Sequence, residues 1–265
     1  MKLDECSALI TGASAGIGRE FARHLGSRAR RLVLVARRQE RLDQLRDELI
    51  AAHPRIEIHT RVVDLSDTRQ LNALTDWVSA QGIDIELLIN NAGLGDLGPV
   101  ADADPQKLEQ IMLVNMNALT LLTRAMIPGM IARNKGAILN VSSSAGFLPI
   151  AGFAVYAASK AYVTSFSEAL RAELRDTNVT VSALCPGPVH TEFTAVAHRP
   201  RADHFPAPEF VHVSAEHAAR AGLAAIEQDR PIAIPGAVMK IAMALTRLTP
   251  MPILRFVSRF SAKRA

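Results

Sequence analysis

A serine, a tyrosine and a lysine lie close together in one stretch of the chain, and their types and spacing suit proton transfer. Ser143 precedes Tyr156 by thirteen residues, and Lys160 follows the tyrosine by four. Positions i and i+4 share one face of a helix, so Tyr156 and Lys160 are expected to project side by side. A free phenol titrates at about pH 10, and a nearby cation lowers that pKa toward the working range of an acid or base. The stretch predicts a redox active site, whereas Tyr162 is expected to be a packing residue.

A glycine-rich turn near the start of the chain is the second feature with chemical potential. The apolar residues 8–10 lead into the sequence TGASAGIG at 11–18, and a helical apolar pattern follows. Gly12 permits a tight turn, Gly16 lets a pyrophosphate approach the backbone at the helix N-terminus, and Gly18 allows the helix to pack closely on the strand. The segment therefore predicts a strand, turn and helix that bind a dinucleotide.

Four features in this order resemble the short-chain dehydrogenase/reductase family. They are the glycine spacing at 11–18, the run Asn90-Asn91-Ala92-Gly93 after an apolar strand, the Tyr156 and Lys160 pair, and Pro186-Gly187. The resemblance implies a catalytic set of Asn115, Ser143, Tyr156 and Lys160. Asn117 is so close to Asn115 that the choice between them depends on the family's spacing.

The resemblance also implies which residues hold a nicotinamide dinucleotide. They come from the glycine turn, the segments after the third and fourth strands, the catalytic helix and the loop after the sixth strand. By position they are Gly12, Ser14, Gly16, Ile17, Gly18, Asp64, Leu65, Asn91, Ala92, Gly93, Tyr156, Lys160, Pro186, Gly187, Val189 and Thr191. Asp64 resembles the family's adenine-binding aspartate, although it could equally cap a helix near Ser66. His190 is expected to be an ordinary loop residue.

The end of the second predicted strand indicates which nicotinamide cofactor binds. A carboxylate there would accept a hydrogen bond from the ribose 2'-hydroxyl, but the chain presents Arg37 and Arg38. Guanidinium groups match phosphate in charge and in bidentate geometry, which favours NADP. Arg37 is the first choice for the 2'-phosphate contact and Arg38 the second. The alternative is that both arginines simply begin a solvated helix.

The resemblance implies a mechanism as well. Hydride would pass between the nicotinamide and a carbonyl or carbinol carbon while Tyr156 exchanges the proton and Ser143 holds the oxygen. Lys160 would also bind the nicotinamide ribose, and Asn115 would hold a water that links the lysine to solvent. The rival hypothesis is a non-catalytic NADP-binding sensor or regulatory protein. The intact Ser143, Tyr156 and Lys160 argue against it, because a sensor needs no proton donor.

Apolar runs and helical patterns alternate along the chain. Strands are predicted at 7–11, 32–36, 56–63, 86–90, 136–142, 179–185 and 231–235, and helices at 38–52, 66–80, 105–132, 155–176 and 215–228. This order predicts a single α/β domain with a doubly wound, Rossmann-type parallel sheet of seven strands. The dinucleotide-binding and catalytic part is assigned to 1–235. The motif residues fall at the carboxyl ends of the strands.

Composition narrows the functional classes. Two cysteines are too few for a disulfide framework, and the eight histidines are scattered, so no metal site is predicted. The start lacks the pattern of a secretory signal, so a cytoplasmic location is expected. No uninterrupted apolar stretch of about 18 residues predicts a membrane span.

The segment 192–213, which follows the sixth strand, is expected to select the substrate. Phe193, Phe205 and Phe210, together with several prolines, make it apolar and stiff. It favours a lipophilic carbonyl or alcohol, such as a fatty-acyl, steroid-like or other hydrophobic ketone.

The C-terminal extension, residues 236–265, carries six basic residues and no acidic ones, so the net charge of +4 belongs to it. Apolar residues recur there at helical spacing. The extension is expected to pack over the substrate pocket or across a homo-oligomer interface, or to contact an anionic membrane surface. No basic stripe with interleaved aromatic residues favours nucleic acid.

Overall fold

The computed structural model describes residues 2–199, 208–250 and 252–254. In this part of the chain, seven strands form one parallel sheet in the order β3-β2-β1-β4-β5-β6-β7. The strands are β1 (Ser7–Thr11), β2 (Arg31–Ala36), β3 (Glu57–Val62), β4 (Leu87–Asn90), β5 (Gly136–Val141), β6 (Val179–Leu184) and β7 (Ile232–Ala233). The order reverses between β1 and β4, where a doubly wound sheet opens a ligand crevice. The predicted fold class is confirmed.

Helices cover both faces of this sheet. They are α1 (Gly16–Gly26), α2 (Gln39–Ala52), α3 (Thr68–Ala80), α4 (Pro105–Met112), α5 (Leu119–Ala132), α6 (Ala154–Glu173), α7 (Glu192–Ala197), α8 (Ala215–Glu227) and α9 (Ala237–Leu248). Ser214 caps α8 as predicted, since its side chain accepts a hydrogen bond from the N–H of His217 at 3.0 Å. The short helix α7 was not predicted.

Successive side chains of the central strands point to opposite faces of the sheet, which divides the core into two layers. On β1, Ala8 and Ile10 pack into one apolar cluster and Leu9 packs into the other. Helices α1, α2 and α8 cover the first layer, and α3, α5 and α6 cover the second. Strands buried on both faces are near-continuous apolar runs, which is why the sequence predicts them well.

The predicted helix at 105–132 is interrupted. A π-helical turn, Leu113–Ala118, separates α4 from α5, and Asn115 lies in it. Among the described residues, Pro105–Ala132 could cross a membrane by length and composition alone, because it has 28 residues and contains an 18-residue window with a mean hydropathy of 1.3. Leu122, Met126 and Met130 of this run are buried against Ile138 of the sheet. Much of its apolar character therefore belongs to the core.

Candidate active site

A cleft of about 870 Å³ opens at the carboxyl ends of the strands. It is lined by the glycine turn after β1, by the ends of β2 and β3, and by the loops after β4, β5 and β6. Every predicted site residue except Gly18 and Asn115 lines this cleft, and those two lie directly behind it. The topology thus brings the predicted residues together. Their individual roles remain predictions.

Helix α6 places Tyr156 and Lys160 on one face, as their spacing predicts. The Lys160 Nζ atom is 5.7 Å from the centre of the Tyr156 ring. The Ser143 side chain lies beside the phenol of Tyr156 and acts to lower the pKa of that phenol. Ser143 is held in turn because its Oγ accepts a hydrogen bond from the N–H of Ala145 at 3.1 Å. A carbonyl oxygen placed between the two hydroxyls would meet two potential donors.

Burial dominates the electrostatics of this group. Tyr156 is 7% exposed and Lys160 is 4% exposed. Burial raises the pKa of Tyr156 to about 12, and the neighbouring Ser143 side chain opposes that rise only in part. Burial also lowers the pKa of Lys160 to about 8. Burial thus shifts the pKa of the phenol in the direction opposite to the shift expected from Lys160 alone.

Lys160 is fixed by the backbone around it. Its Nζ atom donates a hydrogen bond to the carbonyl oxygen of Val141 at 2.8 Å. A Cβ atom at Gly93 would lie 3.3 Å from the same Nζ and 3.6 Å from Oδ1 of Asn115. The absence of a side chain at Gly93 therefore leaves room for the ammonium group beside Asn115.

Asn115 is buried and uses its whole amide. Its Nδ2 donates to the carbonyl oxygen of Leu94 and to Oγ of Ser159, both at 2.9 Å, while its Oδ1 accepts from the N–H of Leu94 at 2.8 Å. Both amide hydrogens are used in this way, so the side chain has no donor left for the predicted water. π-Helical turns are frequent at functional sites. The side chain holds the loop after β4 next to Lys160.

The glycines of the turn after β1 let the backbone come close to its neighbours and form a cradle. Gly12 has a φ of +66°, in the left-handed region that favours glycine. A Cβ atom at Gly18 would lie 2.3 Å from the carbonyl oxygen of Gly12, so only glycine lets α1 begin this close to the strand. No described side chain caps the N-terminus of α1 at Ala15, and the first helical turn, GIGR, has no acidic residue. The backbone N–H groups of the first turn of α1 therefore suit a pyrophosphate.

The loop after β4 closes the cradle from the other side. Asn91 Nδ2 donates to the carbonyl oxygens of Thr11 at 2.9 Å and of Gly12 at 3.3 Å. Thr11 Oγ1 accepts from the N–H groups of Asn91 and Ala92, at 2.9 and 3.0 Å. Asn91 therefore contributes mainly by fixing the turn.

Arg37 and Arg38 both line the cleft, at the end of β2. Arg38 donates to Oγ of Ser14 at 3.3 Å and pairs with Glu192 at 2.8 Å. Arg41, one helical turn further on, pairs with the other oxygen of Glu192 at 2.5 Å. The structure thus ties Arg38 to the glycine turn, although the sequence favours Arg37. Arg41 and Glu192 were not predicted, and only their positions after Arg38 and Thr191 could have indicated them.

Asp64 does not cap α3, so that alternative is wrong. The cap is Asp67, whose carboxylate accepts from the N–H of Arg69 at 2.9 Å. Asp64 instead accepts hydrogen bonds from the N–H and the hydroxyl of Ser66, at 2.9 and 2.7 Å. Asp64 lines the cleft, where it remains available for the adenine contact that the resemblance implies.

Apolar side chains surround Tyr156. The ring of Phe153 stacks on Tyr156 with the ring centres 4.3 Å apart, and Phe193 of α7 lies 5.3 Å from Tyr156. Met239 and Met243 of α9 also line the cleft. The beginning of the C-terminal extension therefore packs over the cleft, which is one of the uses predicted for the extension. Residues 255–265 lie outside the described residues.

Of the two described phenylalanines in the segment 192–213, Phe193 lines the cleft and Phe210 does not. Phe210 is 72% exposed, and Phe205 lies outside the described residues. The neighbouring Arg199 has a role that the sequence did not reveal. Its guanidinium pairs with the buried carboxylate of Asp96, to which Lys107 also binds at 3.1 Å. These two cations, Arg199 foremost, hold the pKa of Asp96 below its usual range.

The chain is similar in sequence to known oxidoreductases. The chain is 39% identical over 190 residues to the NADP-dependent 3-hydroxy acid dehydrogenase YdfG of Salmonella typhi, covering 71% of this chain and 75% of that protein. It is 35% identical over 206 residues to a very-long-chain 3-oxoacyl-CoA reductase of Bos taurus, covering 76% and 64%.

Among solved structures, a short-chain dehydrogenase from Sphingobium yanoikuyae in complex with NADPH superposes with a TM-score of 0.81. The two chains are 30% identical, and the match covers 92% of this chain and 94% of the other. The sequence model of the family described as short chain dehydrogenase matches residues 7–202. The chain therefore belongs to the short-chain dehydrogenase/reductase family of oxidoreductases, as its motifs predicted.

Proposed function

We propose that this protein is an NADP-dependent oxidoreductase that interconverts a carbonyl and an alcohol on a lipophilic substrate. One observation carries the proposal. The side chains of Ser143 and Tyr156 line one apolar cleft, which continues into the glycine cradle. A carbonyl group and a dinucleotide can therefore meet in one cavity.

The cradle and the charges at the cleft support NADP as the cofactor. The free N–H groups of α1 suit the pyrophosphate, and Arg37, Arg38 and Ser14 surround the position expected for a 2'-phosphate. The end of β2 offers no carboxylate to the ribose. Two relatives are NADP-dependent or NADPH-bound by name. When bound, the nicotinamide supplies or accepts the hydride.

The residues of the chain handle the oxygen and the proton. Ser143 orients the carbonyl oxygen by a hydrogen bond, and Tyr156 delivers the proton as that oxygen gains charge. With its pKa raised to about 12, Tyr156 is protonated at neutral pH, as a proton donor for reduction must be. Lys160, held by Val141 and facing Tyr156, places a positive charge next to the phenolate that forms.

The lining of the cleft supports a lipophilic substrate. Phe153 and Phe193 flank Tyr156, and Leu148, Ile150 and Met243 extend the apolar wall. The bovine relative is a very-long-chain 3-oxoacyl-CoA reductase by name, which is consistent with an acyl chain in this cleft. Fatty-acyl and other hydrophobic ketones are therefore the substrates to test first.

The test is a series of ketones of increasing chain length, assayed by the loss of NADPH absorbance. Each methylene buried in the cleft contributes about 0.8 kcal/mol, so kcat/KM should rise by up to about fourfold per methylene until the cleft is filled. Tyr156→Phe is the matched control. The proposal fails if no ketone is reduced, or if kcat/KM falls as the chain lengthens. NADPH binding without any turnover would favour the sensor hypothesis instead.

The C-terminal extension supports a second, separate expectation. Val238, Ile241, Leu245 and Leu248 lie at helical spacing on α9 and are between 48% and 81% exposed. Such a face suits contact with a second copy of the chain or with a membrane surface. We propose homo-oligomerisation as the first use of this face and peripheral membrane contact as the second, in a cytoplasmic protein.

A further inference from the structure

Three potential metal ligands meet at the rim of the cleft, although the sequence predicts no metal site. His190 lies in the loop after β6, Glu209 begins a short 3-10 turn, Glu209–Val211, and His212 follows that turn. One ligand atom from each side chain lies within 4.8 Å of the other two. Nε2 of His190 is 2.9 Å from Glu209 Oε1, and Nδ1 of His212 is 3.8 Å from Glu209 Oε2.

The backbone holds the two segments in this arrangement. The N–H of Val213 donates to the carbonyl oxygen of Pro188 at 3.1 Å, and Val189 and Val213 form a parallel bridge. The 3-10 turn places Glu209 and His212 on the same side, because its side chains repeat every three residues. The imidazoles of His190 and His212 stack with their centres 4.5 Å apart and their planes within 14°. The ligands are therefore brought together before any ion arrives.

We propose that His190, Glu209 and His212 bind one zinc ion. Two imidazoles and one carboxylate form an established zinc ligand set, with a fourth position open to water. Zinc bonds of about 2.0 to 2.1 Å in a tetrahedron place ligand atoms about 3.3 Å apart. The observed separations, from 2.9 Å to at most 4.8 Å, bracket this value. A metal ion lies in the plane of each imidazole that binds it, so one of the two stacked rings must turn out of the stack to share the ion. If His212 binds through Nδ1, that atom must also leave the carbonyl oxygen of Pro208, which lies 3.2 Å away.

The bound ion would link two chain segments at the rim of the cleft. It would join the loop after β6, which carries Val189 and Thr191, to the segment that carries Glu209 and His212. Val189, Thr191 and His212 all line the cleft. Zinc should therefore stabilise the folded chain by mass action, since the unfolded chain does not hold the three ligands together. None of the three ligands takes part in the proposed hydride transfer, so the site can be tested without substrate.

The experiment is a zinc titration of the full chain, freed of metal and of any histidine tag, in competition with a chromophoric chelator. Wild type should bind one zinc ion and gain melting temperature with zinc. His190→Ala and His212→Ala should each weaken binding by about 100-fold or more, because removing a ligand costs at least as much as removing one of its outer partners. His217→Ala, which removes an exposed histidine of α8, should bind zinc as wild type does.

Two results would overturn the proposal. One is a wild-type chain that takes up no stoichiometric zinc, which would leave the group as a hydrogen-bonded surface cluster. The other is equal zinc affinity in wild type and His190→Ala, which would place the ion elsewhere. If a histidine variant misfolds, Glu209→Gln serves in its place, since the Glu209 side chain is 82% exposed and its amide can still accept from His190.

Discussion

The burial of Lys160 has a measurable effect on stability, separate from any role in catalysis. Burial lowers its pKa from an ordinary 10.5 to about 8 in the folded chain. Between those two values the unfolded chain binds a proton that the folded chain does not. The free energy of unfolding should therefore rise with pH in this window, and Lys160→Met should remove that rise.

The expected size follows from the two pKa values. For a lysine with a folded pKa of about 8 and an unfolded pKa of 10.5, unfolding becomes about 2 kcal/mol less favourable from about pH 7 to about pH 9.5. The variant also loses the hydrogen bond to the carbonyl oxygen of Val141. That loss applies at both pH values, so it cancels when the pH dependences of the two proteins are compared.

The measurement is urea unfolding of both proteins at the two pH values, without cofactor, because a bound ligand would shift the equilibrium. Other titrating groups contribute equally to the pH dependence of the free energy of unfolding in both proteins. Lys240→Met, which removes an exposed ammonium group of α9, is the matched control and should follow wild type. If the difference between wild type and Lys160→Met is the same at both pH values, the buried ammonium keeps its charge and the reasoning is wrong.

Three further predictions concern the cleft and the C-terminal extension. Tyr156→Phe should keep NADPH affinity, measured by fluorescence titration, and lose about 100 to 10,000-fold in kcat; near-normal turnover would refute the role of the tyrosine. Arg37→Asp should shift the ratio of kcat/KM for the two cofactors toward NADH, because it replaces a phosphate contact by a like charge; an unchanged ratio would move the contact to Arg38 and Ser14. Deleting 249–265 should leave the sheet folded, because its strands precede the cut, but should change the oligomer size in light scattering or the KM for lipophilic substrates. A truncated protein that matches the full chain in both, and in binding to anionic vesicles, would contradict the roles given to the extension.

Local patterns predicted most of the fold. All seven strands lie within two residues of their predicted bounds, because buried parallel strands are apolar runs ended by glycine or polar residues. The helix predicted at 105–132 has the correct bounds, but a π-helical turn interrupts it. Its π-helical turn at Leu113–Ala118 depends on Asn115 reaching Leu94, a contact between distant segments.

The residues of the site were predictable where a short motif carries them. Ser143, Tyr156 and Lys160 meet because one helix and one strand end position them. The partners of Arg38 were not predictable, since Glu192 is 154 residues away and approaches only through the folded sheet. The same holds for His190 and His212, whose spacing in the sequence gives no sign of their stacked rings.

The six-residue helix α7 is attached to the domain by charged groups at both of its ends. At its start Glu192 binds Arg38 and Arg41, and beyond its end Arg199 binds the buried carboxylate of Asp96. Phe193 and Val196, two of the α7 residues that line the cleft, lie between these attachments. Exchanging them should alter substrate preference while the helix keeps its place. Helix α7 is therefore a suitable element for redesigning selectivity: its cleft-lining side chains can be varied while the ion pairs at its two ends are kept.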